Sequence, residues 1–374
     1  MECSSFNLDY SRSIKVKILF LTLGNELVAS SRTRVYQYLR FIKKANISYK
    51  IIKYESGLDY LFISNYKVQN KPSKIIYWCF IKSIEQFHKV YSSVQITRLI
   101  FQCIFADVLF IQKVTLPIWI QTLLKTLQPK IIFDFDDAIY SDVLNYNKKR
   151  IDHQLSLTSL AILENEETEK YAKKFEIKSL RITGPIDCDR YLPSNHFISG
   201  GTTIGWIGSS STTQYLRLIE KPLQIISKTH PNINLELIGA KNFEVEGVNI
   251  IGNKWSLKSE VELLSHFDIG IMPLIDNEWS RGKGGYKILQ YMAMGIPSVV
   301  SPVGINKELI IDGENGFLAS DSKEWVEKLN YLIENPNIRL RMGESARKIA
   351  IAKYSFSAYF PIFEKHLSDL INEK

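Results

Sequence analysis

Residues 280 to 301, SRGKGGYKILQYMAMGIPSVVS, hold the chain's densest set of groups suited to binding an anion. Arg281, Lys283 and Lys287 bring three positive charges, and Gly284 and Gly285 among them leave backbone N–H groups bare. Tyr286, Leu289, Gln290 and Ala293 recur at helical spacing, so this loop opens directly into a helix whose dipole adds partial positive charge. A phosphate is the natural occupant; a plain connecting loop with solvated lysines is the alternative. A second phosphate-tolerant turn, Gly208, Ser209, Ser210 and Ser211, follows the apolar run TTIGWI, with Ser211 or Thr212 as helix cap. The remaining chemical group is Asp134, Asp136 and Asp137 at the end of KIIFDF, where open parallel sheets place their ligands. Three carboxylates there could hold a divalent metal, act on a phosphate ester, or form an acidic pair beside a cleft.

These groups need rigid elements behind them. Short apolar runs at 15–23, 48–54, 106–112, 130–140, 160–165 and 179–183 predict buried parallel strands, and amphipathic segments alternate with them. In the first of these segments Ser30, Ser31 and Thr33 offer N-caps for one helix carrying Val35, Tyr38, Leu39 and Ile42, with Arg32 and Arg34 in its first turn. Basic residues oppose the dipole at that end, so they are either tolerated on the surface or kept for an anion. Gly184 and Pro185 in TGPIDCDRY mark a boundary. Strands at TTIGWI, INLELIGA, GVNIIG, HFDIGIMPL, SVVS and NGFLAS restart the pattern, so the expected class is α/β with two doubly wound parallel sheets. At Gly295 the 286–293 helix should end, with Pro297 preventing continuation.

Met292, Ala293, Gly295 and Pro297 resemble the Met-Ala-x-Gly-x-Pro run of GT-B glycosyltransferases of family 4. In that family two Glu residues precede the run; here the second position is Gln290 and the first is Gly282. Trp279 to Lys283 and Lys287 to Tyr291 are similar to the Trp-Ser-Arg-Gly-Lys loop and Lys-x-Leu-Gln-Tyr helix of one branch of the family. The resemblance implies two Rossmann-like domains facing a cleft: residues 1–182 on the acceptor side, 183–356 binding the donor, and a final helix, 357–374, crossing back to the first. It also implies a retaining, metal-independent enzyme that moves a sugar from a nucleotide diphosphate to an acceptor hydroxyl, with no separate cofactor. Gly208, Ser209, Ser210, Arg281, Lys283, Gly284, Gly285, Tyr286, Lys287 and Gln290 would hold the nucleotide sugar, Gln290 at the ribose. The family's His-Asp pair falls on Asp136 and Asp137, which with Lys287 are the expected catalytic residues. A metal-holding Asp-x-Asp of GT-A type, a phosphohydrolase of haloacid-dehalogenase type on Asp134 and Asp136, and a non-catalytic nucleotide-sugar-binding partner are the competing readings.

Composition sets further bounds. The 374 residues, 45% hydrophobic and 23% charged, suit two folded domains. Four scattered cysteines without a Cys-x-x-Cys pair argue against a zinc site and for a reducing compartment. No apolar stretch is long enough to span a bilayer, so the expected location is cytoplasmic. Residues 1 to 182 hold 27 Lys and Arg against 17 Asp and Glu, whereas the rest holds 20 against 22. The basic half includes an aromatic and lysine-rich stretch at 58–98, without any nucleic-acid-binding signature. An anionic membrane surface is the expected partner, with attachment to the inner face of the cytoplasmic membrane. By analogy with the family, the acceptor is lipid-linked or a saccharide, in bacterial cell-surface polysaccharide assembly.

Overall fold

The computed structural model describes residues 16–54, 90–128, 130–141, 147–193, 201–240 and 242–373. Most of the aromatic and lysine-rich stretch, Cys3 and Cys79 thus lie outside the described residues. The first sheet comprises β1 (Lys17–Thr22), β2 (Ser48–Lys53), β3 (Val108–Gln112), β4 (Ile131–Phe135), β5 (Leu160–Leu163) and β6 (Lys178–Arg181). Its order is β2-β1-β3-β4-β5-β6, and every pairing is parallel. Both faces are covered, which is why β3, β4 and β5 are buried throughout and, but for Gln112 and Asp134 near their carboxyl ends, apolar rather than alternating.

The second sheet comprises β7 (Thr203–Ile207), β8 (Asn234–Ile238), β9 (Asn249–Asn253), β10 (Ile269–Met272), β11 (Ser298–Val300) and β12 (Gly316–Leu318). Its order, β12-β11-β10-β7-β8-β9, is that of a dinucleotide-binding sheet, with the reversal between β7 and β10. A crevice opens at such a reversal, outside the carboxyl ends of the strands. The expected strands are all present, and the class is α/β with two doubly wound parallel sheets.

Chain order and packing differ at the C-terminus. The helix Phe356–Asn372, capped by the Ser355 hydroxyl, buries Phe356, Phe360, Phe363, Leu367 and Leu370 against Phe20, Phe110 and Tyr38 of the first domain. It begins before Pro361 and takes the proline inside.

Two helix entrances differ from expectation. The single helix expected after β1 is broken into Ala29–Arg34, a 3₁₀ turn Tyr36–Tyr38, and Leu39–Lys44. Ser31 and Thr33 do not cap it: the Ser31 hydroxyl donates to Gln112 Oε1 at 2.8 Å, and Thr33 bonds back to the Ala29 carbonyl at 3.1 Å. Arg34 ends the first piece and turns inward. After β7 the chain enters a 3₁₀ helix, Thr213–Ile219, with no side-chain cap from Thr212. The Thr212 hydroxyl instead donates to the Ser209 carbonyl at 2.9 Å.

Several contacts join the domains. Asn165 Nδ2 donates to the Lys283 carbonyl at 3.0 Å, Arg181 pairs with Glu308 at 3.0 Å, and Trp279 packs on the apolar core of the first domain.

Candidate active site between the two sheets

A cavity of about 190 Å³ lies where the carboxyl ends of both sheets meet. Thr33, Asp136, Asp137 and Glu164 line it from the first domain, Gly184 from the linker, and Trp206, Ser209, Thr212 and Lys283 to Lys287 from the second.

The helix Tyr286–Ala293 starts from Gly285, whose φ of 65° is left-handed and suits glycine. Gly284 to Lys287 line the cavity, so the positive end of this helix dipole lies at it. At its far end Gly295 has φ 70°, and the Ile296 N–H closes back onto the Tyr291 carbonyl at 2.9 Å, as in a Schellman ending. The Lys287 ammonium rests over the Trp206 ring, 4.2 Å from its centre. Burial and the charge of Lys283 push Lys287 down to about 7. Gly208 makes this placement possible, because a Cβ there would lie 2.5 Å from Lys287 Nζ and 2.6 Å from Trp206. Burial also lowers Lys283, against the attraction of Asp137.

The three aspartates separate into two roles. Asp134 is 1% exposed and takes a bidentate contact from Arg34, at 2.6 Å to Nη2 and 3.0 Å to Nε, so no Asp134 and Asp136 pair faces the cavity. Asp136 and Asp137 share the ammonium of Lys113, at 2.8 and 2.5 Å. Burial alone would raise the Asp137 carboxyl, but Lys113 and Lys283 hold it below its usual range. Lys113 sits just past β3 in a left-handed conformation, φ 56°, which a non-glycine residue adopts at some cost.

Arg34 is the structural hub behind the cavity. Besides Asp134 it reaches Glu164 Oε2 at 2.8 Å and the carbonyls of Ile182 and Gly184 at 2.7 Å each. Arg34 is thus consumed by protein groups. Its neighbour Arg32 stacks on Trp255 and lies 3.8 Å from the buried carboxylate of Glu260.

Other expected site residues are placed elsewhere. Arg281 is half-exposed and pairs with Asp276 at 2.6 Å, away from the cavity lining. Ser210 is exposed and also off the lining. Gln290 is 4% exposed, and its amide nitrogen donates to Tyr191 Oη at 3.1 Å. At Gly282 a Cβ would lie 2.3 Å from the Ala138 Cβ of the opposite domain, which accounts for the missing acid at that position. Lys113 and Glu164, which directly follow β3 and β5, and Trp206, inside β7, are site residues that no sequence motif marks.

Residues 201–335 match the model of the family described as glycosyl transferases group 1. A trehalose synthase of Pyrococcus horikoshii is 39% identical over 64 residues, 17% of this chain and 15% of its own length. An uncharacterized glycosyltransferase of Haemophilus influenzae is 26% identical over 192 residues, 48% of this chain and 54% of its own. The chain thus spans about half, or less, of the curated relatives it matches. Among solved structures, Anabaena HepE in complex with UDP superposes with a TM-score of 0.67 at 14% identity, covering 95% of this chain and 100% of that one. A glycosyltransferase of Rickettsia africae gives 0.66 at 16% identity, covering 96% and 100%. The chain has the GT-B fold, and its residues 201–335 are similar to the group 1 glycosyl transferases.

Proposed function

We propose that this protein is a glycosyltransferase that moves a sugar from a nucleotide-diphosphate sugar to an acceptor hydroxyl, with retention at the sugar carbon and without a metal ion. The observation that carries this reading is the pairing of Lys283, Lys287 and a helix N-terminus on one wall of the cavity with Asp136 and Asp137 on the other. The first wall suits a diphosphate, whose negative charge grows as its bond to the sugar breaks. The acceptor oxygen bonds to the same sugar carbon, and its proton passes to the departing diphosphate. Asp137, ionised and fixed by Lys113, lies beside the acceptor. The ribose is assigned to Gln290 on its position in the family motif alone: it is buried off the cavity lining, with its amide nitrogen committed to Tyr191 and its amide oxygen left as the acceptor. Turnover of a nucleotide sugar, with release of free nucleoside diphosphate dependent on an acceptor, tests the reading. Binding without turnover would instead favour the non-catalytic partner, and Mg²⁺-dependent phosphatase activity a phosphohydrolase.

Asp137→Asn is expected to lower transfer at least about tenfold while donor affinity stays nearly unchanged. Weaker donor binding as the whole cause would move Asp137 to a structural role.

Lys287 makes donor binding dependent on pH. At about 7 its free-state value leaves it mostly neutral at pH 8.5, so an arriving diphosphate must draw a proton onto it. Nucleotide-sugar affinity should therefore fall as pH rises above 7, by up to about tenfold per unit, and Lys287→Arg should flatten the profile. Calorimetry in buffers of different ionisation heat reads the proton uptake directly; none at pH 8 would contradict it.

The acceptor in this reading is lipid-linked or a saccharide, and the work is bacterial surface polysaccharide assembly at the cytoplasmic face of the membrane. Among the described residues no helix is long and apolar enough to cross a membrane. Phe101, Ile104 and Phe105, and Ile118 and Trp119 on the helix Ile118–Leu127, are exposed on the basic first domain. Aromatic and apolar side chains with nearby lysines suit an anionic headgroup boundary, each basic residue contributing about 1 kcal/mol. Sedimentation with anionic vesicles at low salt should exceed that with neutral vesicles and weaken with salt; equal sedimentation would remove the membrane from the reading.

A further inference from the structure

We infer that Glu164, on the first domain, supplies the carboxylate that recognises hydroxyl groups of the transferred sugar, a role that rests on the glycosyl-transfer reading above. Gly282 offers no side chain, and the Ala138 methyl leaves no room for one. The cavity nevertheless contains a carboxylate held ready. Glu164 is 2% exposed yet lines the cavity beside Asp136 and Gly284. Its Oε1 accepts from the Gly184 N–H and its Oε2 from Arg34 Nη1, both at 2.8 Å, so its orientation is fixed before any ligand arrives.

Each carboxylate oxygen offers two acceptor positions, and one donor apiece leaves capacity for sugar hydroxyls. Against the burial that raises it, Arg34 favours the ionised form of Glu164, and an ionised acceptor makes stronger hydrogen bonds than a neutral one. Gly284 keeps the donor loop against this group: a Cβ there would lie 2.7 Å from Glu164 Oε1. Lys283, Lys287 and Glu164 line one cavity, so a sugar attached to a diphosphate held by the two lysines shares its space with Glu164. The neighbouring acids divide the work, since Asp136 and Asp137 are bound to Lys113 whereas Glu164 is bound to the linker and Arg34.

The test compares nucleoside diphosphates with their sugars by calorimetry, using UDP with UDP-glucose and GDP with GDP-mannose on the full chain. For the pair that binds, Glu164→Gln should reduce the affinity for the nucleotide sugar about tenfold while that for the nucleoside diphosphate stays within about twofold. A group that only supported the fold would weaken both equally. An unchanged ratio of the two affinities would overturn the inference and leave the glycosyl-transfer reading intact, whereas failure of the wild-type protein to bind any of the four would overturn both. If Glu164→Gln does not fold by circular dichroism, Glu164→Asp is used instead; it keeps the charge for Arg34 but withdraws the carboxylate from the sugar, and the same selective loss is expected.

Discussion

Lys287→Ala is expected to transfer sugar about a hundredfold more slowly than the wild-type protein, with most of the loss in kcat. The charge on the diphosphate grows as the sugar leaves, so a contact from Lys287 strengthens towards the transition state and contributes there more than in the ground state. A charge-assisted contact of about 3 kcal/mol corresponds to roughly a hundredfold in rate. The packing of Lys287 on Trp206 fixes its side-chain nitrogen at the cavity wall before the ligand arrives, which limits the entropy lost on binding. Gln290→Ala should behave differently, raising the donor KM with little change in kcat, because the ribose does not change during reaction. Steady-state kinetics of both variants, with folding checked by circular dichroism, separates them. A wild-type rate for Lys287→Ala, or one shared kinetic defect, would contradict the division of roles.

Arg34→Ala is expected to destabilise the protein by roughly 3 to 5 kcal/mol, since it removes one partner of a buried ion cluster and leaves the others uncompensated. Asp134, Glu164 and two linker carbonyls all depend on that guanidinium. Lysine would not replace it, because a single ammonium cannot meet four groups arranged around a planar fork. The loss should be smaller at pH 5 than at pH 7. Burial pushes Asp134 up to about 6 and holds Glu164 above the usual carboxylate range even with Arg34 present. A folded-state value above the unfolded one means that the cost of burying the charge is absent at low pH and grows as pH rises through the folded value. Urea denaturation at the two pH values measures this; equal losses would show that the cluster's charge is not what Arg34 offsets.

The central strands β1, β3, β5, β7 and β10 were legible in the sequence because each is a short, largely apolar run, and a sheet covered on both faces demands that pattern. The helix after β1 was misread as continuous because its interruption comes from a long-range cause: Arg34 is drawn to Asp134, a hundred positions away. Lys113 was missed for a similar reason. Its partners lie on the next strand end, and only the β3 and β4 pairing brings Gln112 opposite Asp134 and so Lys113 towards Asp136. The glycines and lysines of the donor loop were readable as a group, but their individual directions were not. Arg281 and Lys283 are two residues apart, and one points to Asp276 while the other lies along the cavity. The absence of an acid at position 282 was visible in the sequence; its steric cause, Ala138 across the cleft, required the assembled domains.

The helix Phe356–Asn372 has a consequence for the order in which the protein matures on the ribosome. It completes the apolar layer over Phe20 and Phe110, although those residues are translated well before it. At about 5 to 20 residues per second, roughly 10 to 35 s separate the end of the first sheet from the arrival of its covering helix. For that interval the nascent first domain shows bare aromatic surface to solvent, and the second domain folds beside it. A stalled or prematurely terminated chain would therefore leave the earlier-made domain, not the later one, as the aggregation-prone part.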